Sequence, residues 1–274
     1  MNGVVHLMYH ELRLHARPPV DDDPGYVRYV VDAETFSAHL SHLRAENFRG
    51  LNVTEALQAD DSQAKGARAQ EARVVFTFDD GCETDLLVAA PLLRDAGYNA
   101  TFYITAGHLD RRGYLTTAQL RELSESNFDI GCHSMTHRLL LADVTEAQLH
   151  TEVVEAKDRL EQLTGRRVVN FSCPGGRWTK RVAETARAAG YESVATSNTG
   201  VNTPATDRFC LSRVAVMRHT SQVEFERVCR GEGLWKRRAR EVALTTAKKA
   251  LGDAGYQKFR SRVLGQNSRA ESKP

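Results

Sequence analysis

A chain of 274 residues, 41% hydrophobic and 26% charged, is long enough to bury the core of one α/β barrel. No apolar stretch approaches the ~20 residues needed to span a bilayer, and the opening segment MNGVVHLMYHELRL lacks the basic, long apolar and small-residue regions of a secretory leader, so a cytoplasmic protein is expected. The net charge of +2 divides unevenly: from Leu234 onward eleven Lys or Arg face three acids, and the rest of the chain is acidic, which excludes the basic working groove of a nucleic-acid enzyme.

Residues 3–9 alternate weakly and predict a strand. The segment 11–30, with Pro18, Pro19 and DDDPG, predicts a loop. Phe36, Leu40 and Leu43 recur at helical spacing over 33–46, and 60–71 is polar and aperiodic, an expected exposed loop. Regular alternation follows: strand 73–78, helix 83–96, strand 99–104, helix 116–125, strand 128–132, helix 145–163, strand 167–172, helix 178–189, strand 191–196. Gly97, Gly165 and Gly190 sit just past helix ends, where a left-handed residue is easiest for glycine, and Thr145 with Gln148 offers a capping box. A last strand is expected at 211–216, a short helix at 221–230 and a basic helix at 235–251. Strands alternating with such helices imply parallel pairing with right-handed crossovers. The expected fold is therefore a closed or nearly closed α/β barrel of seven or eight mostly parallel strands over 1–233, with a basic helical extension over 234–274. An open doubly wound sheet is the alternative, but no Gly-x-Gly-x-x-Gly turn follows the first strand. There is no internal repeat. The five cysteines, 82, 132, 173, 210 and 229, are odd in number and predict reduced thiols.

Four of these strands end in residues suited to hydrolysis: His10; Asp79 and Asp80; His133 and His137; and Cys173, Pro174, Gly175 and Gly176. The carboxyl ends of barrel strands share one face, where active sites assemble. His133 and His137 are four apart, and a helical turn after the strand would aim both imidazoles at one cation. Asp80 is the best third ligand. Two His and one carboxylate leave positions open for water and substrate, as a catalytic zinc requires. Cys132 should face away from His133 as a packed thiol, whereas Cys82 is a rival donor.

FTFDDG at 76–81 and HSMTH at 133–137, with APLLRDAGYNATFYIT at 90–105 and LTGRRVVNFSCPGGRW at 163–178, resemble the polysaccharide deacetylase family of carbohydrate esterases, over roughly residues 3–230. The resemblance implies a distorted (β/α) barrel holding a divalent metal, zinc first, with cobalt, nickel, iron or manganese as alternatives. By position it implies Asp79 as general base, Asp80, His133 and His137 as metal ligands, and a backbone amide of the Pro-Gly-Gly turn as oxyanion donor, with Gly175, Gly176 and Arg177 as the oxyanion and substrate group. Family members commonly carry an arginine where this chain has Ser172; Arg177 or Arg213 could replace it. The general acid is expected to be His10, at the end of a Tyr-His strand like that of some exopolysaccharide deacetylases, with His219 as the other candidate.

The function these expectations describe is metal-dependent hydrolysis of N-acetyl groups on an amino-sugar glycan or glycoconjugate. The alternatives are an O-acetyl esterase or cyclic-amide hydrolase on the same scaffold, and a non-catalytic glycan binder. The loops 11–30 and 105–115 should govern substrate choice. No nucleic-acid partner is expected. The basic tail is expected to be a solvated helix, or else to rest peripherally on the inner face of an anionic membrane.

Overall fold

The runs VHLMY and VVFTF are fully buried, as strands of a parallel sheet covered on both faces must be. The computed structural model describes residues 3–14, 17–64, 72–126, 128–140, 143–239 and 242. Among them lie β1 (Val5–Tyr9), β2 (Leu12–Arg13), β3 (Val31–Asp32), β4 (Arg49–Leu51), β5 (Arg73–Phe78), β6 (Thr101–Ile104), β7 (Asp129–Cys132), β8 (Asn170–Ser172), β9 (Ser193–Ala195) and β10 (Val214–Ala215). The main sheet runs β10-β1-β5-β6-β7-β8-β9, with every pairing parallel. On one edge of β5, β4 pairs with residues 73–75 and β6 with residues 77–78. These seven strands curl into a half-barrel flanked by helices, the distorted (β/α) barrel expected from the sequence.

The segment 211–216 joins the ends of the curl. Leu211 donates to Val194 O at 2.9 Å and accepts from Thr196 N at 2.9 Å, while Val216 N donates to Met8 O at 3.0 Å. One short stretch therefore pairs with β9 at its start and with β1 at its end. A cluster of Val4, Leu51, Val75, Tyr103, Ala195 and Leu211 comes from strands well separated in the sheet order and so fills the space the curl encloses. Outside the curl, strand alternation gives an aromatic layer: Phe78 lies 5.3 Å from Tyr9, 5.0 Å from Phe102 and 5.6 Å from Phe36 on the helix Ala33–Ala45, measured between ring centroids.

Several elements differ from expectation. The segment 11–30 is not all loop, because β2 and β3 pair across it and Pro24–Val27 is helical. The polar stretch at 60–71 begins inside a helix, Val53–Ala64. That helix starts with a reciprocal cap: Glu55 N donates to Asn52 Oδ1 at 2.7 Å, and Asn52 N donates to Glu55 Oε2 at 3.0 Å. The helices expected at 83–96 and 145–163 each contain a π-turn, Asp85–Ala89 and Thr151–Glu155. The glycine caps stand as expected, with Gly97, Gly165 and Gly190 at φ 73°, 66° and 80°, and the Thr145–Gln148 capping box is formed.

The chain divides into two units, Met1–Glu232 and Gly233–Pro274. Of the second, residues 234–239 are helical. The remainder of the helix expected at 235–251, and with it the choice between a solvated tail and one resting on a membrane, lies outside the described residues. Among the described residues no helix is long and apolar enough to cross a membrane.

Phe78 joins both sides of the aromatic layer. Replacing it with alanine should cost about 3–5 kcal/mol, read as a lowered denaturant midpoint; a loss below about 1 kcal/mol would show that the layer repacks freely.

Candidate active site

The first acidic residue after β5 continues its ladder: Asp79 N donates to Tyr9 O at 3.0 Å. Alternation turns Asp79 toward the interior on the same side as Thr77. There Arg213, on the segment that joins β9 to β1, meets it with two parallel hydrogen bonds, Nη1 to Oδ1 at 2.7 Å and Nη2 to Oδ2 at 2.8 Å. Arg213 also donates to Ser172 Oγ at 2.8 Å, Thr196 O at 2.9 Å and Thr77 Oγ1 at 3.2 Å. Asp79 and Arg213 are 2% and 1% exposed, so the pair is shielded from solvent. Burial alone would raise the Asp79 pKa, but the Arg213 guanidinium outweighs it and holds the carboxyl well below its usual range.

This settles the arginine question left open at Ser172. Arg177 is exposed, whereas Arg213 reaches the carboxylate from the opposite strand neighbourhood. The short Ser172 side chain leaves room for that guanidinium and donates to Asp79 Oδ2 at 3.3 Å.

Asp80, at φ 84°, turns the other way. Its Oδ1 lies 3.5 Å from His133 Nε2 and 3.3 Å from His137 Nε2, is buried, and has no hydrogen-bond partner. The three donor atoms lie within 4.8 Å of one another. His133 follows β7, and its Nδ1 is 2.9 Å from Ser172 O. Because a carbonyl only accepts, Nδ1 carries the proton and Nε2 presents its lone pair to the cluster. Burial, with opposition from the acids, lowers the His133 pKa to about 4, which keeps it neutral. An orphaned carboxylate oxygen facing two imidazole nitrogens is the donor set of a zinc-type site with open positions, so the residues present fit a divalent metal.

The helical turn expected between His133 and His137 is absent. The chain bends instead, with Ser134 at φ 69° and His137 at φ 62°, and His137 N donates to Ser134 Oγ at 3.0 Å. The imidazoles still converge, with centroids 5.0 Å apart. Five described non-glycine residues have positive φ, and Asp80, Ser134 and His137 are three of them, which concentrates backbone strain at this cluster.

The Pro-Gly-Gly turn is narrower in its use than expected. Gly176 N donates to Cys173 O at 2.8 Å and Arg177 N to Pro174 O at 3.2 Å, so both amides are engaged within the turn and Gly175 is left as the candidate oxyanion donor. Gly176 is required by packing, since a Cβ there would lie 1.8 Å from Ser197 Oγ. His10 follows β1 directly and stacks on Tyr29 at 4.6 Å. His219 is exposed on the turn after β10. All five cysteines are free thiols. Cys82 is buried, 3.3 Å from Tyr26 Oη, and its pKa is pushed far up by burial and then by Asp85; it stands outside the Asp80–His133–His137 group.

Two residues near the cluster were missed in the sequence. His108 lies 6.2 Å from His137 between centroids, its Nδ1 buried without a partner and its pKa lowered by burial. Glu152, 4% exposed, reaches the His137 turn from the π-turn Thr151–Glu155.

Removing Arg213 should strand a buried carboxylate. Arg213→Met is expected to destabilise the protein by about 3–5 kcal/mol at neutral pH. In the wild type the depressed Asp79 pKa contributes stability above the unfolded carboxylate value, about 3.9, and this is lost as pH falls through the lower folded value. In the variant, burial acts unopposed by the arginine, so protonating Asp79 relieves the penalty. The gap between the two proteins should therefore narrow on acidification, as followed by urea unfolding at several pH values. A gap that widens below pH 5 would contradict the assigned pairing.

Residues 66–194 match the family model described as polysaccharide deacetylase. YxkH of Bacillus subtilis, named for the same family, is 26% identical over 186 residues, 68% of this chain and 65% of the relative. The peptidoglycan-N-acetylglucosamine deacetylase of Bacillus cereus is 30% identical over 125 residues, 45% of this chain and 56% of the relative. The chain thus spans less than two thirds of each relative's length. The fold is shared with the Streptococcus pyogenes deacetylase PplD, solved in complex with acetate (TM-score 0.71, 21% identity, covering 82% of this chain and 97% of that one). It is shared as well with IcaB from Ammonifex degensii (TM-score 0.70, 23% identity, covering 84% and 97%). The two strand-end carboxylates and the pair of histidines four apart thus fall within the stretch that matches the polysaccharide deacetylase model.

Proposed function

We propose that this chain is a metal-dependent N-deacetylase that releases acetate from N-acetylated amino sugars of a glycan or glycoconjugate, with zinc as the metal. The observation that carries the reading is the side-by-side pair of aspartates with opposite fates. Asp79 is locked to Arg213 as a carboxylate, while Asp80 leaves an oxygen free toward the Nε2 atoms of two imidazoles. The peptidoglycan-N-acetylglucosamine deacetylase among the relatives supports the N-acetyl bond class, and the acetate complex of the structural neighbour agrees with an acetate-releasing reaction.

Asp80, His133 and His137 would hold the cation, which when bound supplies Lewis-acid polarisation of a water and of the acetyl carbonyl. Asp79 Oδ2, 3.8 Å from His133 Nε2, lies beside that cluster and accepts the proton of the attacking water. Arg213 keeps Asp79 ionised before the step and fixes its orientation through both oxygens. The Gly175 amide, at φ 57° in the turn after β8, donates to the developing oxyanion. His10 donates a proton to the departing sugar amine, which lets the C–N bond break without expelling an amide anion. Acetate and a free amine remain.

Incubation with chitooligosaccharides and with O-acetylated sugars, with acetate measured enzymatically, tests the reading. Acetate release from the N-acetyl substrates that chelator abolishes and added zinc restores is the expected result. Asp79→Asn should keep zinc at one equivalent and lose about 10²–10⁴-fold in kcat, whereas His137→Ala should lose zinc and activity together. Release from O-acetyl sugars alone would move the assignment to an esterase, and no chelator-sensitive release from either class would refute it.

A further inference from the structure

The turn that carries His137 is clamped from two sides. Ala106 N and Gly107 N, just past β6, donate to Ser134 O at 3.0 Å and Met135 O at 2.8 Å. From the other side Glu152 accepts from Met135 N at 3.0 Å and Thr136 N at 2.9 Å through a single oxygen, Oε2, and from the Thr136 hydroxyl at 2.5 Å through Oε1. The carbonyls of residues 134 and 135 and the amides of 135, 136 and 137 are all engaged. We infer that Glu152 is a positioning residue for the proposed metal, holding the 133–137 turn in the bent form that points His137 Nε2 at Asp80.

Three features carry this inference. The turn has no regular secondary structure of its own and places Ser134 and His137 in the left-handed region, which non-glycine residues keep only when their surroundings over-determine it. Glu152 is buried, yet every hydrogen bond the structure gives its carboxylate ends on this turn, so the cost of burying it is met there. It also projects from the π-turn Thr151–Glu155. One extra residue per turn re-aims side chains relative to an α-helix, a device that recurs at functional sites. Glu152 touches none of the three donor atoms, so it acts through the backbone of the turn that carries His137, as groups hydrogen-bonded behind a metal ligand orient it.

The inference rests on the metal reading above, and its test separates the two. Metal-free full-length protein is titrated with zinc by calorimetry, and cobalt is added in parallel so that its visible absorption reports ligand geometry. Glu152→Ala should weaken zinc binding about 10–100-fold and alter the cobalt spectrum. Glu152→Gln should stay within about threefold of wild type, because its amide oxygen still accepts from both backbone N–H groups and its NH2 can donate to the Thr136 hydroxyl. Glu152→Asp, one methylene short, should fall between them and serves as the informative variant if the alanine form does not fold. Thermal unfolding of each metal-free protein is recorded alongside. If the alanine and aspartate variants melt lower but bind zinc as tightly as wild type, Glu152 is merely structural and the inference is overturned. A wild-type chain that binds no zinc removes the metal reading itself, whatever the Glu152 variants do.

Discussion

A carboxylate in the interior of a protein stays charged only if something there replaces water, and Arg213 does this for Asp79. Two parallel N–H···O bonds of 2.7 and 2.8 Å satisfy both oxygens, and the remaining guanidinium donors are spent on Thr77, Ser172 and Thr196. Few other geometries could keep both charges buried, since an imperfect ion pair in a low-dielectric site costs more in desolvation than it returns. Arg213 sits on the segment that pairs with β9 at Leu211 and with β1 at Val216. Joining the ends of the curled sheet and charging the carboxylate are therefore one structural event.

The rest of the site is arranged around that fixed point. Asp79 and Asp80 are neighbours in sequence, and the backbone reversal at Asp80 sends them to different partners: one to a permanent cation, the other to the Nε2 atoms of two imidazoles. Ser172 serves both sides, its hydroxyl between Arg213 and Asp79 and its carbonyl on His133 Nδ1. On the proposed reading, this one strand end sets the orientation of the base and the tautomer of a ligand together, so the two halves of the chemistry are mechanically linked.

Much of this was legible in the sequence because it follows from periodicity. Strands that alternate with capped helices and stop at Asp79, Asp80, His133 and the Pro-Gly-Gly turn place those residues on one face. Other features leave no local mark. Arg213 lies in LSRVAV, which reads as ordinary strand alternation, and nothing nearby in sequence discloses that its side chain enters the barrel; the serine at 172 pointed to Arg177 or Arg213 without choosing between them. The family match, 66–194, contains neither Arg213 nor His10, so both reach the site from outside the matched stretch. A spacing of four predicted a helical turn for His133 and His137, but the convergence is made by a bent loop whose shape depends on Glu152, distant in sequence and one π-turn out of α register. Gly176 was legible as a glycine, but not that Ser197, rather than a substrate, occupies the place of its missing side chain. The Asn52–Glu55 cap was present to be read, and its short, polar surroundings concealed the helix it starts.

The central claim is that Asp80, His133 and His137 grip one cation while Asp79, held by Arg213, does not touch it. Crystals grown with zinc and measured at its absorption edge test this directly. The account predicts a single anomalous peak about 2.0–2.2 Å from one Asp80 oxygen and from Nε2 of each histidine, with the Asp79 carboxylate outside bonding distance and still paired to Arg213. A peak bonded to Asp79, or no peak among these three side chains, would contradict it.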